Sequence, residues 1–343
     1  MPNTLKAIDN KWEILQISVT DNCNLLCRHC MKMEKFSREY NSTETFKNYL
    51  SNFSPEDFEV LVLSDFGEPF LRKDILEILR YAKAEGFQKV RVVSNMVLLN
   101  EATAEAIVKE NLLEQILIST EAATAELFEW VRGTAYDKWL SKIRLINRFK
   151  KQYEANSPRL IFNVACFTEN LAELPKIMDL AHENDIDSVL FVHLNAITLD
   201  KVDKEFEGKI CTSEHRLDRL DQNLVRDTFE QVVQKARKYN IPVDLPEAYW
   251  NAPKPNPVKE KEASEDEKRG CDFPYKWVQV SEYGEVYPCC QISKKFSLGN
   301  LNENTYDEIW NSDQYIKFRE DLKNGIAPTS WCEMCNVFQG KRF

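Results

Sequence analysis

Six short apolar segments alternate with helical patterns between residues 14 and 194 of this chain. The strand candidates, rich in β-branched residues, are residues 14–19, 59–64, 89–94, 115–119, 159–165 and 188–193. The clearest helical patterns lie between them, at residues 73–85, 101–110, 136–150 and 171–184. This alternation predicts parallel β/α units. Six units form a partial (β/α)6 TIM-type barrel, whose chemistry is expected at the carboxyl ends of the strands.

The alternation weakens after residue 196. Residues 224–239 predict one more helix, and residues 241–245 are a candidate strand. Residues 251–269 combine three prolines with a run of charges, which indicates a solvated linker. We therefore expect four parts: an N-terminal tail (1–12), a barrel (13–200), a variable connecting segment and linker (201–265) and a small C-terminal domain (266–343).

Ten cysteines restrict the chemistry, because eight of them fall into two groups, near residue 27 and beyond residue 270. No apolar run approaches the ~20 residues of a membrane-spanning helix, and the N-terminus lacks the apolar core of a signal peptide. We therefore expect a cytoplasmic protein, where clustered cysteines serve as metal ligands or catalytic thiols. A formal net charge of −10 argues against a nucleic-acid partner.

The first cysteine group follows the first predicted strand. Cys23, Cys27 and Cys30 have the spacing C-x3-C-x2-C, and His29 precedes the last of them. Three thiolates on one short loop can hold three irons of a 4Fe–4S cluster, which leaves the fourth iron open to a cofactor or substrate. A zinc site would normally need a fourth protein ligand. The nearest candidate is His29, whose backbone would be fixed by Cys30.

Four further segments lie at or after later strand ends, in a consistent order. They read SDFGEP (64–69), VSNM (93–96), ISTE (118–121) and WVRG (130–133). Together with the cysteine loop they resemble the motifs of the radical S-adenosylmethionine (radical SAM) superfamily, in which these segments are G-G-E-P, T-N-G, S-I-D-G and R-G. Two positions depart from that pattern: Phe66 replaces the first glycine of G-G-E-P, and Met96 replaces the glycine of T-N-G.

The resemblance implies a role for each motif. The three N-terminal thiols (Cys23, Cys27 and Cys30) would ligate a 4Fe–4S cluster whose open iron is chelated by S-adenosylmethionine (SAM). The backbone of Gly67, Glu68 and Pro69 would hold the amino group of SAM, with Glu68 mainly structural. The His29 ring would lie near the adenine. The other cofactor-binding candidates, chiefly for the ribose and carboxylate, are Ser94, Asn95, Ser119 and Arg132. The alternative for these is structural: the serines cap strand ends, and Arg132 pairs with an acid such as Glu129.

The second cysteine group lies in the C-terminal part. A Tyr283-Gly284 turn between two strand-like runs predicts a hairpin that brings Cys271 and Cys289 together, and residues 306–322 predict a helix. Four thiolates would complete a 4Fe–4S cluster or a zinc site. The pieces C-x12-G-x4-C, LGNL, EIWN and C-x2-C resemble the C-terminal SPASM/Twitch extension of radical SAM enzymes. That resemblance implies one auxiliary cluster, as in the shorter Twitch form, with four ligands: Cys271, Cys289, Cys332 and Cys335.

The resemblance also implies a reaction. SAM would be cleaved reductively to a 5′-deoxyadenosyl radical, which takes a hydrogen atom from the substrate; flavodoxin or ferredoxin would supply the electron. An auxiliary 4Fe–4S cluster could accept the substrate electron, giving a dehydrogenated or crosslinked natural-product intermediate. Only 22 residues precede Cys23, so we expect no fused leader-binding domain. We prefer a small-molecule substrate, such as an aminocyclitol or sugar.

Two alternatives remain. A ribosomal-peptide maturase would crosslink a peptide, or would epimerise it with a cysteine as hydrogen donor. The unassigned thiols are Cys166, Cys211 and Cys290. In a different functional class, the chain would be a zinc-stabilised binding protein without catalytic activity.

Overall fold

The computed structural model describes residues 12–30, 41–194, 209–210, 213–246, 271–290, 296–333, 335 and 338. Within these residues, ten strands form one sheet in the order β10-β9-β8-β1-β2-β3-β4-β5-β6-β7. Their bounds are Trp12–Ile17 (β1), Phe58–Val62 (β2), Val90–Ser94 (β3), Gln115–Ser119 (β4), Arg159–Cys166 (β5), Ser188–His193 (β6), Val243–Asp244 (β7), Trp277–Val280 (β8), Glu285–Tyr287 (β9) and Gly299–Asn300 (β10). Strands β1 to β7 are parallel to their neighbours, as the alternation predicts.

Helices follow most of the strands. Their bounds are Thr43–Leu50 (α1), Ile75–Ala84 (α2), Glu101–Lys109 (α3), Ala125–Arg132 (α4), Tyr136–Gln152 (α5), Leu174–Glu183 (α6), Gln222–Tyr239 (α7), Phe273–Lys276 (α8), Tyr306–Trp310 (α9), Asp313–Lys323 (α10) and Ser330–Glu333 (α11). In the described part of the chain, no helix has the length and apolar character that crossing a membrane requires.

The two faces of the barrel strands differ in burial. In β5, Phe162 is fully buried and lies 5.9 Å from the Trp139 ring of α5, so its face of the strand packs against the outer helices. The alternate residues Ile161, Asn163 and Ala165 are only partly buried. Because successive side chains of a strand point to opposite faces, these residues line the lumen of the open barrel.

The C-terminal hairpin continues the sheet of the barrel. Strand β8 pairs in parallel with β1, with Trp277 opposite Ile14 and Val280 opposite Ile17. Gly284 has φ +84°, so it supplies the positive φ of the turn that joins β8 to the antiparallel β9. The predicted hairpin is therefore confirmed, and its first strand is joined to the barrel by backbone hydrogen bonds.

Three local predictions differ from the structure. The helix expected at residues 306–322 is two helices, because Ser312 caps the start of α10 by accepting a hydrogen bond from the Tyr315 N–H. The helix expected from residue 171 begins at Leu174, after a 3-10 helix over Thr168–Glu173. Helices α1 and α4 were not among the predicted helices, although WVRG covers the last turn of α4.

Candidate cluster and cofactor site

The cluster loop, residues 20–30, follows β1 and is held near its C-terminal end by backbone hydrogen bonds. The Arg28 N–H donates to the Val131 carbonyl at 2.8 Å, and the Cys30 N–H donates to the Cys27 carbonyl at 3.2 Å. Leu25, Cys27 and Val97 form a small apolar cluster against which the other two N-terminal thiols pack. The structure thus brings together the three cysteines that the spacing predicts. The set of three soft thiol donors fits the three irons of an open 4Fe–4S cluster.

Arg132 reaches the cluster loop from the end of α4. Its guanidinium Nη1 lies 3.6 Å from the Cys27 sulfur. Burial raises the pKa of Cys27 to about 11, and the Arg132 charge opposes that shift. Burial also raises the pKa of Cys23. Because iron binds the thiolate, cluster assembly here must displace protons from buried thiols, and Arg132 is the nearby cation that favours the charged form.

Glu121 joins the motifs, and sequence reasoning missed it. Its carboxylate accepts a hydrogen bond from Arg132 Nε at 2.5 Å and lies 3.6 Å from His29 Nε2. Glu129, the partner that sequence reasoning offered, instead accepts a hydrogen bond from the Tyr136 N–H. The ISTE segment did include this position, since Glu121 is its last residue. The buried pair with Glu121 makes Arg132 a positioning residue for the cluster loop.

His29 packs beside this ion pair. Its ring stacks on Phe167, with centroids 6.4 Å apart and planes 12° apart. Burial, and then the Arg132 charge, lower the pKa of His29 well below its usual value, so the imidazole is neutral. His29 Nδ1 is buried and has no hydrogen-bond partner in the described part of the chain. Such an orphaned atom fits a site that receives a polar cofactor.

The SDFGEP segment is pressed against the cluster loop. The Glu68 N–H donates to the Asn22 carbonyl at 2.8 Å, and a Cβ on Gly67 would lie 2.1 Å from the Thr20 carbonyl oxygen. Only glycine allows this approach. The Glu68 carboxylate is buried and accepts from Ser94 Oγ and the Asn95 N–H, both at 2.7 Å, and from the Phe70 N–H at 3.0 Å, the last within the turn that begins at Pro69. These bonds fit the structural role expected of Glu68.

The VSNM segment contains one departure from the superfamily pattern, at a position whose backbone conformation would suit the glycine of that pattern. Met96 has φ +64°, a left-handed conformation that favours glycine, and it is fully buried. The hydroxyl of Ser94 is bonded to Glu68 and to the Met96 N–H, so it serves as the strand-end cap that was the structural alternative. Asn95 Nδ2 lies 3.8 Å from the Cys23 sulfur. Ser119 is partly exposed on the lumen face of β4.

Four cysteines line one apolar cavity in the C-terminal region: Cys271, Cys289, Cys332 and Cys335. Phe318 and Trp331 also line it, and the Cys335 N–H donates to the Cys332 carbonyl at 3.1 Å. Thr329 Oγ1 donates to the Cys332 sulfur at 3.3 Å. Burial raises the pKa of Cys271 to about 11. The structure thus brings together the four C-terminal thiols, and the donor set fits a fully ligated 4Fe–4S cluster.

The spacing of these thiols bears on the zinc alternative. Among the residues that the structure describes, no three His, Cys, Asp or Glu side chains converge closely enough to hold a single metal ion. Tetrahedral zinc needs its sulfurs ~2.3 Å from one point. In a 4Fe–4S cluster each thiolate binds a different iron, so the sulfurs stand farther apart. The four C-terminal thiols supply one donor for each iron of such a cluster.

The three unassigned cysteines differ in their surroundings. Cys166 is 1% exposed and lies on the same face of β5 as Phe162, toward the outer helices. Its thiol donates to the Val164 carbonyl at 3.7 Å. Cys290 is not among the residues that line the C-terminal cavity, and burial raises its pKa to about 11. Cys211 lies outside the described residues.

Comparison with known families agrees with this geometry. Residues 17–181 match the radical SAM superfamily, and residues 271–336 match SPASM, an iron-sulfur cluster-binding domain. The chain belongs to the radical SAM superfamily and carries a C-terminal SPASM domain. Its cofactors are therefore the 4Fe–4S cluster and SAM of the superfamily, together with auxiliary iron–sulfur of the SPASM domain.

Curated relatives of this radical SAM enzyme span nearly its whole length. AdoMet-dependent heme synthase from Oleidesulfovibrio alaskensis is 22% identical and covers 100% of this chain and 85% of the relative. Fe-coproporphyrin III synthase from Methanosarcina barkeri is 26% identical, covering 97% and 84%. GTP 3′,8-cyclase from Aquifex aeolicus is 25% identical, covering 93% and 96%.

Solved structures share the fold of this radical SAM enzyme. Streptococcus suis SuiB bound to its precursor peptide SuiA superposes with a TM-score of 0.70 at 16% identity, covering 96% of this chain and 71% of SuiB. Native anSMEcpe with AdoMet and a Cp18Cys peptide has a TM-score of 0.63 at 17% identity, covering 96% and 88%. At such identities the likeness concerns the fold alone.

Proposed function

We propose that this radical SAM enzyme oxidises its substrate by two electrons, in a dehydrogenation or a ring- or bond-forming crosslink. The observation that supports this most is the convergence of the four C-terminal thiols on one apolar cavity. A cluster with four protein ligands has no open iron for SAM, but it is suited to electron transfer. We propose one such auxiliary cluster, and therefore two 4Fe–4S clusters per chain.

At the first site we assign the N-terminal thiols as cluster ligands. A 4Fe–4S cluster held by these thiols would supply the electron for reductive cleavage of SAM, and bound SAM would supply the 5′-deoxyadenosyl group that takes a hydrogen atom from the substrate. The residues of this chain position those groups. Gly67 gives SAM a backbone surface flush with the cluster loop, since its Cβ space is filled by the Thr20 carbonyl. Glu121 fixes Arg132 beside Cys27, which orients the loop.

The placement of Cys166 and Cys290 argues against these two thiols as the hydrogen donor of an epimerase. A hydrogen-donating cysteine must point toward the substrate in the lumen. Cys166 points the other way and is hydrogen-bonded within its own strand. Cys290 follows directly on Cys289, a proposed cluster ligand, so its position is tied to the auxiliary site. We infer that the substrate electron leaves through the auxiliary cluster.

We propose a small molecule as the substrate. Relatives named for heme, coproporphyrin and GTP chemistry span most of this chain at 22 to 26% identity. A peptide substrate is the second candidate, favoured by the 0.70 TM-score against SuiB in complex with its precursor peptide.

Leu26 and Arg28 of the cluster loop are exposed, so an electron carrier such as flavodoxin or ferredoxin can approach the first cluster there.

The first experiment is SAM cleavage by dithionite-reduced, anaerobically reconstituted protein. Wild type is expected to form 5′-deoxyadenosine, and a variant with all three N-terminal thiols changed to alanine is expected to form none. Only a cluster with an open iron can chelate SAM and reduce it. Equal product from both proteins would refute the assignment of the cluster loop.

A further inference from the structure

One row of neighbouring side chains runs around the barrel lumen. Strand register places Gln279 beside Gln16, Gln16 beside Val62, Val62 beside Arg91 and Arg91 beside Gln115. We call these five residues the lumen row. In closed TIM barrels the corresponding layers are filled by branched apolar side chains. Four of the five residues here are polar, which is unusual for a core that only packs.

Burial shows that Arg91 and Gln115 face the lumen. Arg91 is partly exposed between Val90 and Val92, which are both fully buried toward the helices. Gln115 is likewise partly exposed, and its successor Ile116 is fully buried. The alternation of side chains along a strand therefore directs both polar residues inward.

The lumen row touches the segment proposed to hold SAM. Gln16 Nε2 donates to the Ser64 carbonyl at 2.7 Å, and Gln279 Nε2 lies 3.2 Å from Asp65 Oδ1. Ser64 and Asp65 begin the SDFGEP segment, three and two residues before Gly67. A molecule bound along the row would therefore lie next to the site where the radical forms.

Three residues of the row carry buried polar atoms without a partner. Arg91 Nε is an unpaired donor, and the Oε1 atoms of Gln115 and Gln279 are unpaired acceptors, among the residues that the structure describes. Gln16 shows the contrast: its Nε2 donates to Ser64, and its Oε1 accepts from Trp277 Nε1 at 3.1 Å. Unsatisfied buried polar atoms are rare in folded proteins, so each of these atoms needs a partner such as a bound ligand, ion or water.

Of the three residues, Arg91 gives the strongest indication of a bound ligand, because its guanidinium is charged. No carboxylate in the described part of the chain pairs with it, and burial alone lowers its pKa. Other arginines of the barrel are paired, such as Arg80 with Glu110 and Arg148 with Glu101. An uncompensated charge in a largely buried position is unfavourable, and a bound anion would remove that penalty.

We propose that the lumen row binds the substrate through an oxyanion group, a carboxylate or a phosphate, held by Arg91. Gln115 and Gln279 accept hydrogen bonds from hydroxyl or amino groups of the same molecule. The substrate class is thus a small anion that also carries hydroxyl or amino groups. The inference rests on the proposed function, since it places that molecule beside the SAM site.

The test measures oxyanion binding with inorganic phosphate and acetate, each against sodium chloride at equal ionic strength. Thermal unfolding of the reconstituted full chain is the readout. At saturation, at least one oxyanion should raise the Tm of wild type by about 2 °C or more, and the one that does so identifies the group. The matched control Arg148→Met, on the outer surface, should keep the shift, and Arg91→Met should lose it. An equal shift in wild type and Arg91→Met, or none beyond chloride, would overturn the proposal.

A second measurement needs no ligand. Without oxyanion, Arg91→Met should unfold at a higher temperature than wild type, because an uncompensated buried charge is removed. A lower Tm would show that Arg91 pairs within the folded chain and would overturn the proposal. Dithionite-driven 5′-deoxyadenosine formation should be equal in the control Arg148→Met and wild type. If wild type fails to cleave SAM, the proposed function is lost while the oxyanion result stands by itself.

Discussion

Replacing Gly67 by alanine tests how tightly the SDFGEP segment must fit the cluster loop. The new Cβ would lie 2.1 Å from the Thr20 oxygen, 2.7 Å from the Thr20 carbonyl carbon and 2.8 Å from the Asn22 oxygen. All three are backbone atoms, so no side-chain rotation relieves the overlap. Ordinary van der Waals contact begins at 3.4 Å, so the segment and the loop must separate by about 1.3 Å.

That separation has an energetic and a chemical consequence. Overpacking of this kind costs about 3 kcal/mol, the upper end of the usual range, because backbone must move. A misplacement near 1 Å between reacting groups lowers rates roughly 100-fold. We therefore expect Gly67→Ala to fold with a reduced Tm and to form 5′-deoxyadenosine at roughly one hundredth of the wild-type rate. Initial rates under dithionite, normalised to iron content, are the assay.

Gly86→Ala is the matched control. Gly86 has φ +100°, so alanine is strained there too, but its Cβ would meet only the Pro55 side chain at 3.2 Å, on the loop between α2 and β3. We expect Gly86→Ala to lower the Tm and to leave SAM cleavage unchanged. Wild-type cleavage by Gly67→Ala would refute the argument that this close approach positions SAM.

Three further outcomes are expected. Reconstituted wild type should hold about eight irons per chain and the variant without N-terminal thiols about four; about four in wild type would remove the auxiliary 4Fe–4S cluster. Changing Cys332 and Cys335 to alanine should abolish product yet spare uncoupled SAM cleavage, once circular dichroism shows a folded barrel; undiminished product would contradict electron transfer through the auxiliary site. The product should gain no solvent deuterium, and deuterium lost on changing one unassigned cysteine, Cys166, Cys211 or Cys290, would instead establish epimerisation.

Much of the barrel is predictable because a short apolar run in the local sequence indicates each strand. Strands β4 and β6 begin and end where their apolar, β-branched runs do. The thiols of the first site are equally local, since all three lie on one loop. The break between α9 and α10 was missed because the apolar periodicity continues through it, while the Ser312 cap that starts the second helix is a single residue.

Side-chain partners were less predictable. Arg132 has Glu129 three residues before it and Glu121 eleven residues before it, and sequence proximity favours the first. The fold selects Glu121, because the turn after β4 and the end of α4 meet at the cluster loop. Likewise, the sequence does not show which of the two sets of alternate side chains in β5 faces the lumen. Only the contact between Phe162 and Trp139 fixes that phase and directs Cys166 outward.

The pairing of β8 with β1 links strands about 260 positions apart in the chain. Ribosomes extend a chain at about 5 to 20 residues per second, so one edge of β1 waits roughly 13 to 50 seconds for its partner. An apolar strand with free N–H and C=O groups is prone to pair with other chains during that interval. During synthesis, β1 is therefore exposed to mispairing and aggregation for a period that is set by translation speed. Chaperones, or slow encounter with other nascent chains, would protect it during that period.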